Sequence, residues 1–109
     1  MSQIQDPSNM EWTPLAYPGI RAKVLRHDPE TGDRAAIIEL DEGARYPLHD
    51  HPGGEHALML EGELKSGGHI LKAGQYLHTP PGKPHAVVAL TKCRFFVVTP
   101  KGVEILDKP

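Results

Sequence analysis

Short apolar runs alternate with glycine and proline along almost the whole chain. The runs "IRAKVLRH" (20–27), "RAAIIEL" (34–40), "HALMLEGEL" (56–64), "QYLHT" (75–79), "HAVVAL" (85–90), "RFFVVT" (94–99) and "VEIL" (103–106) are rich in β-branched and other apolar residues. Between them fall "DPETGD", "HPGGE", "SGG", "TPPGKP" and "TPKG", which turn the chain and leave little room for long helices. Several short strands punctuated in this way predict an all-β sandwich or barrel. "ELKSGGHIL" predicts a tight hairpin, with Gly67 and Gly68 suited to the positive φ of such turns. A short helix over "ALMLEGELK" is the competing possibility, and Gly62 inside it argues against it.

Length and charge narrow the picture further. A chain of 109 residues fits one domain and buries roughly 65% of its unfolded surface. We expect an N-terminal arm over 1–11 and one β-barrel domain over 12–109. A formal net charge of −2 offers no basic footprint for nucleic acid or anionic lipid. The start "MSQIQDPSNMEW" has neither the basic beginning nor the apolar stretch of a secretion signal, and no run reaches membrane-spanning length, so a cytoplasmic protein is expected. Cys93 has no second cysteine to pair with, in keeping with a reducing compartment. Lys92 and Arg94 beside it would lower its pKa if it were exposed, but a small buried strand residue is the commoner role.

Candidate chemistry gathers between Tyr46 and Gly62, where "YPLHDHPGGEHALMLEG" sets three histidines, an aspartate and a glutamate close together. Side chains alternate faces along a strand, so His49 and His51 point the same way and Asp50 points opposite. The same parity places Glu55 and His56 on opposite faces, so one of the two can join the histidine pair once the "PGG" turn folds the chain back. Imidazole nitrogen with carboxylate oxygen suits divalent transition ions, which makes a glutamate added to the pair a sensible half-site. "GQYLHTPPGKPHAVVAL" offers His78 and His85 as further ligands, and the rigid "PPGKP" turn would fix the approach of His85.

These segments resemble the two motifs of the cupins. Gly43, "ARYPL", His49-Asp50-His51, "PGG", Glu55, "HALMLE" and Gly62 match the first motif without a gap. Gly74, "QYLHT", Pro80-Pro81-Gly82, "KP" and His85 match the second, with Ala89 standing where the motif ends in asparagine. The resemblance implies a small jelly-roll barrel in which His49, His51, Glu55 and His85 bind one divalent transition metal ion, whether iron, manganese, nickel or zinc. A finer resemblance, through "WTPLAYPGIRAKVLRHD" and "AGQYLHTPPGKPH", is to single-domain cupins related to the C-terminal part of ChrR-type anti-sigma factors. Those proteins hold their sigma factor through a helical N-terminal zinc domain, and no such domain is seen before Trp12, so anti-sigma activity is not expected.

Two functions follow from the resemblance. One is a small-molecule dioxygenase or related metal-assisted enzyme, with two coordination positions left for a chelating substrate or dioxygen. The other is a non-enzymatic zinc-binding or small-ligand sensor. His56 is expected outside the barrel or at a subunit contact. His78 is open between pocket and solvent, while His27 and His69 are expected to be solvated. Tyr46 and Tyr76 are candidates for proton donation, with packing as the default role. Met59 and "FFVV" are expected in core and pocket wall, and Trp12 with "PLAYPG" over a sheet edge or a neighbouring subunit. The family's habit implies a homodimer with a small-molecule ligand.

Overall fold

The first two long runs pair with each other. In the computed structural model of the protein, which describes residues 2–106, β2 (Ile20–His27) lies antiparallel to β3 (Arg34–Leu40) with Ile20 opposite Leu40. Met1 and residues 107–109, the first position of the expected arm and the end of the expected domain, lie outside the described residues. The other strands are β1 (Thr13–Pro14), β4 (Arg45–Asp50), β5 (Glu55–Glu61), β6 (Glu63–Ser66), β7 (His69–Lys72), β8 (Tyr76–Thr79), β9 (His85–Ala89), β10 (Cys93–Thr99) and β11 (Glu104–Ile105). They form two sheets, ordered β1-β2-β3-β10-β5-β8 and β11-β4-β9-β6-β7, with every pairing antiparallel. The expected all-β barrel is therefore found: the chain crosses from one sheet to the other at successive turns, and the two sheets enclose an apolar interior.

Strand parity decides what enters that interior. Along β5, Glu55, Ala57 and Met59 are buried and His56, Leu58 and Leu60 are exposed. Ile20, Leu40, Met59, Leu64, Leu71, Val87, Ala89 and Cys93 form the core at one end. Each large side chain of this kind contributes about 1.5–3 kcal/mol by leaving water. "FFVV" divides by the same rule: Phe95 and Val97 face inward, and Phe96 and Val98 face out.

"HALMLEGEL" proves to be two strands. Gly62 separates β5 from β6 and takes the chain from the first sheet to the second at a φ of +78°. A Cβ there would stand 2.3 Å from the Lys92 carbonyl oxygen, so the position has no room for a side chain. The predicted hairpin joins β6 to β7, and of its two glycines Gly67 alone takes a positive φ. No helix forms over "ALMLEGELK".

At the N-terminus a short 3₁₀ turn covers Pro7–Asn9, capped by the Asp6 side chain, and the Pro7 carbonyl accepts a 2.8 Å bond from Lys23 Nζ. Lys23 also lies 4.5 Å over the Trp12 ring. β1 covers the edge of β2, and Leu15 and Tyr17 close over the core. Trp12 and the segment after it thus cover a sheet edge.

Candidate metal centre

Two turns at the same end of the barrel bring the histidines together. The 51–54 turn links β4 to β5 and the 80–84 turn links β8 to β9. His49 stands on β4, His51 just beyond it, Glu55 at the start of β5 and His85 at the start of β9, opposite His49 in the ladder. All four point inward, and one donor atom from each lies within 4.8 Å of the others. His51 is 1% exposed, His49 4% and Glu55 8%.

For His49 and His85, hydrogen bonds at Nδ1 fix which nitrogen is turned to the centre, whereas His51 Nδ1 is buried without a partner. His49 Nδ1 lies 2.7 Å from the Pro47 carbonyl oxygen, which can only accept, so Nδ1 carries the proton and Nε2 keeps its lone pair. His85 Nδ1 lies 2.6 Å from Ser66 Oγ. His85 Nε2 is buried without a hydrogen-bond partner, 3.9 Å from Glu55 Oε1. His51 Nε2 meets Glu55 Oε2 at 2.9 Å. A buried lone pair with no donor, converging with two more imidazoles on a carboxylate, fits a divalent cation: three imidazole nitrogens and one carboxylate oxygen suit a first-row ion. The hydrogen bonds to the far nitrogens of His49 and His85 supply the outer support that metal-binding imidazoles usually have.

The electrostatics favour the same state. Burial pushes His49 down to about 4, and burial also lowers His85. Burial alone would raise Glu55, but the bond from His51 and the neighbouring imidazoles outweigh it and hold the carboxyl below its usual value. At neutral pH the cluster therefore presents two neutral imidazoles, at His49 and His85, and a carboxylate, ready for a cation without proton release from these groups.

Two positioning residues were not found from the sequence. Ser66 sits on β6 one inward step from Leu64, and its hydroxyl orients His85. A polar residue at an inward position was the available signal. Asp50, on the outward face as parity requires, accepts from the His51 N–H at 2.8 Å and from the Gly82 N–H at 3.1 Å, so it ties together the two turns that carry the candidate ligands.

The cluster forms the floor of a cavity of about 130 Å³ whose walls include Leu15, Val24, Ile38, Phe95 and Val97. Tyr46 also lines it, 4.6 Å from His49 edge to face and itself met by Tyr17 at 5.1 Å. Burial raises the Tyr46 phenol above its usual value, so it stays protonated and able to donate. Tyr76 is instead on the outside, hydrogen-bonded to His56 Nδ1, with His78 stacked on His56 at 4.9 Å. His56, His78 and Tyr76 are exposed on the outer face, as are His27 and His69 on the surface. Cys93 is buried, and burial pushes its thiol up to about 11 despite Lys92 and Arg94.

Comparison with protein families matches residues 1–102 to the ChrR cupin-like domain. Comparison with curated proteins gives no match. Among solved structures, an acetylacetone dioxygenase from Acinetobacter johnsonii superposes with a TM-score of 0.89 at 19% identity, covering 99% of this chain and 80% of its own. The polyketide cyclase RemF from Streptomyces resistomycificus gives 0.82 at 19% identity, covering 100% and 88%. The complex of Rhodobacter sphaeroides SigE with the anti-sigma ChrR gives 0.73 at 24% identity, covering 84% of this chain and 49% of that one. At these identities the superpositions show the shared fold alone.

Proposed function

Since the chain belongs to the ChrR cupin-like domain family, we propose that it binds one divalent transition metal ion through His49, His51, Glu55 and His85 and acts on a small molecule there. The observation that carries this is the convergence of four buried ligand atoms at the floor of an apolar cavity. Four protein ligands leave two positions on an ion that prefers six, enough for a bidentate chelate or for a ligand and dioxygen. The bound ion would act as a Lewis acid towards a carbonyl, enol or thiol and, if iron, as a redox partner.

The chain's own residues then have separable tasks. Pro47 and Ser66 hold the rings of His49 and His85. Apolar walls exclude water and strengthen every charge interaction inside. Tyr46, protonated and beside His49, donates a hydrogen bond to a ligand oxygen or returns a proton to it. Oxygen consumption by the iron-loaded protein with diketones and thiols tests the enzymatic reading, which expects substrate-dependent uptake that Tyr46→Phe slows. Stoichiometric zinc in protein purified without added metal, with no oxygen uptake by any metal form, would sink it.

The family match favours a second reading, in which zinc takes the same ligands and the cavity senses a small molecule without turnover. Either way we place the protein in the cytoplasm as a homodimer. The lone buried thiol agrees with the first, and the outward Leu58, Leu60 and Tyr76 with the second.

A further inference from the structure

Arg34 is the one Lys or Arg side chain among the described residues that line the cavity. It begins β3 and shares the inward parity of Ala36, Ile38 and Leu40, of which Ala36 and Leu40 are each 1% exposed. Its outer end reaches solvent at the mouth, so it is a rim residue of the metal cavity.

Register sets its height. Arg34 pairs with Thr99 on β10, and Val98 pairs with His56 on β5, so Glu55 lies one step on, level with Thr99 and Arg34. Arg34 and Glu55 are therefore two strands apart on one level, about 10 Å between Cα atoms at the usual strand spacing. Arg34 thus lines the same wall of the cavity as Glu55, at the same end of the barrel as the candidate metal residues.

Its charge is unmatched among the described residues. Asp33, the acid next to it in the chain, pairs instead with Arg26 at 3.4 Å. Arg34 makes no ion pair or side-chain hydrogen bond with any described residue, while Tyr46, whose phenol its charge partly offsets, stays protonated across the same cavity. A guanidinium at the rim of an apolar cavity is a specific receptor for a carboxylate, which it meets with two parallel hydrogen bonds.

We infer that the cavity selects a small, largely apolar anion: a chelating oxygen head at the metal residues and a carboxylate a few bonds away, received by Arg34. This deepens the metal-binding reading above and rests on it. The probes are 4,6-dioxoheptanoate and heptane-2,4-dione, which share one β-diketone head and differ by the tail carboxylate.

Calorimetric titration into zinc-loaded protein reads binding without turnover. The wild type is expected to bind the carboxylate roughly ten- to a hundredfold more tightly, the range of a charge-assisted hydrogen bond. Arg34→Gln should bring the two ligands within about twofold while zinc content and neutral-diketone affinity hold, and Arg34→Lys should restore part of the preference. The preference should also shrink with added salt, because the rim is exposed. Equal affinity for both ligands in the wild type, or a preference that survives in Arg34→Gln, overturns the role of Arg34 and leaves the metal site standing. Failure of both ligands to bind the zinc form likewise overturns the selection. Failure to take up zinc at all overturns the metal reading, and this inference with it.

Discussion

Replacing Gly62 and Gly43 with alanine, one at a time, separates backbone strain from steric overlap. The two glycines bound the segment that carries His49, His51 and Glu55 and have nearly the same conformation, φ of +78° and +82°. A side chain in that region costs about 1–2 kcal/mol wherever it occurs. Their surroundings differ: around Gly43 nothing lies within 4 Å of an added Cβ, whereas at Gly62 the Cβ would stand 2.3 Å from the Lys92 carbonyl oxygen and 2.8 Å from both Cys93 Cβ and Thr91 Oγ1. Those atoms belong to the turn that returns β9 to β10, and a backbone carbonyl cannot swing aside as a long side chain can. Overpacking of that kind costs about 1–3 kcal/mol more. Gly43→Ala should therefore lose about 1–2 kcal/mol and Gly62→Ala about 2–5 kcal/mol. Alanine also reduces the entropy of the unfolded chain, an effect of up to about 1 kcal/mol that is common to both variants and cancels between them. Equilibrium urea unfolding with a chelator present measures both free energies without a contribution from bound metal. Equal losses, or a larger loss at Gly43, would show that the crossing at Gly62 is not closed by the Lys92 carbonyl.

Acid should destabilise the metal-free protein before most carboxylates titrate. His49 lies near 4 in the folded state and at 6.5 unfolded, so the unfolded chain binds more protons across that window and stability falls as pH drops through it. At about 1.4 kcal/mol per pH unit the loss reaches about 3 kcal/mol at most, and the lowered His85 acts in the same direction. A urea midpoint unchanged between pH 7 and pH 5 would contradict this. Below pH 4.5 the lowered Glu55 adds a further loss as it protonates. Cys93, buried and pushed up to about 11, should resist a thiol reagent at pH 8 in the native protein and react promptly in urea; fast native labelling would refute its burial. Ser66→Ala should weaken metal binding by about 10–100-fold with the fold intact, the usual effect of losing an outer partner of a ligand, and unaltered affinity would show that the Ser66 hydroxyl does not position His85.

Much of the fold was legible because glycine and proline bracket its strands: the bounds expected for "IRAKVLRH" and "RAAIIEL" are those of β2 and β3. β4 was missing from the expected apolar runs, since "RYPLHD" is polar, carries Pro47 and breaks register between Tyr46 and His49. The shared face of His49 and His51 followed from parity alone, whereas the choice of Glu55 and His85 over their neighbours leaned on the spaced motifs. Arg34 was hidden for a definite reason. Both faces of β3 are apolar, Ala35 and Ile37 on one side and Ala36, Ile38 and Leu40 on the other, so alternation could not tell which face turns inward. Ser66 needed a contact across strands that no local pattern contains.

The central claim is that four named side chains hold one ion. X-ray absorption with metal analysis tests it most directly, on the wild type and on His51→Ala, with the outward His56→Ala as a control. The account predicts about one ion per chain in a nitrogen and oxygen shell showing imidazole scattering, lost sharply in His51→Ala and kept in His56→Ala. Full metal content in His51→Ala, or sulfur ligation from Cys93, would contradict it.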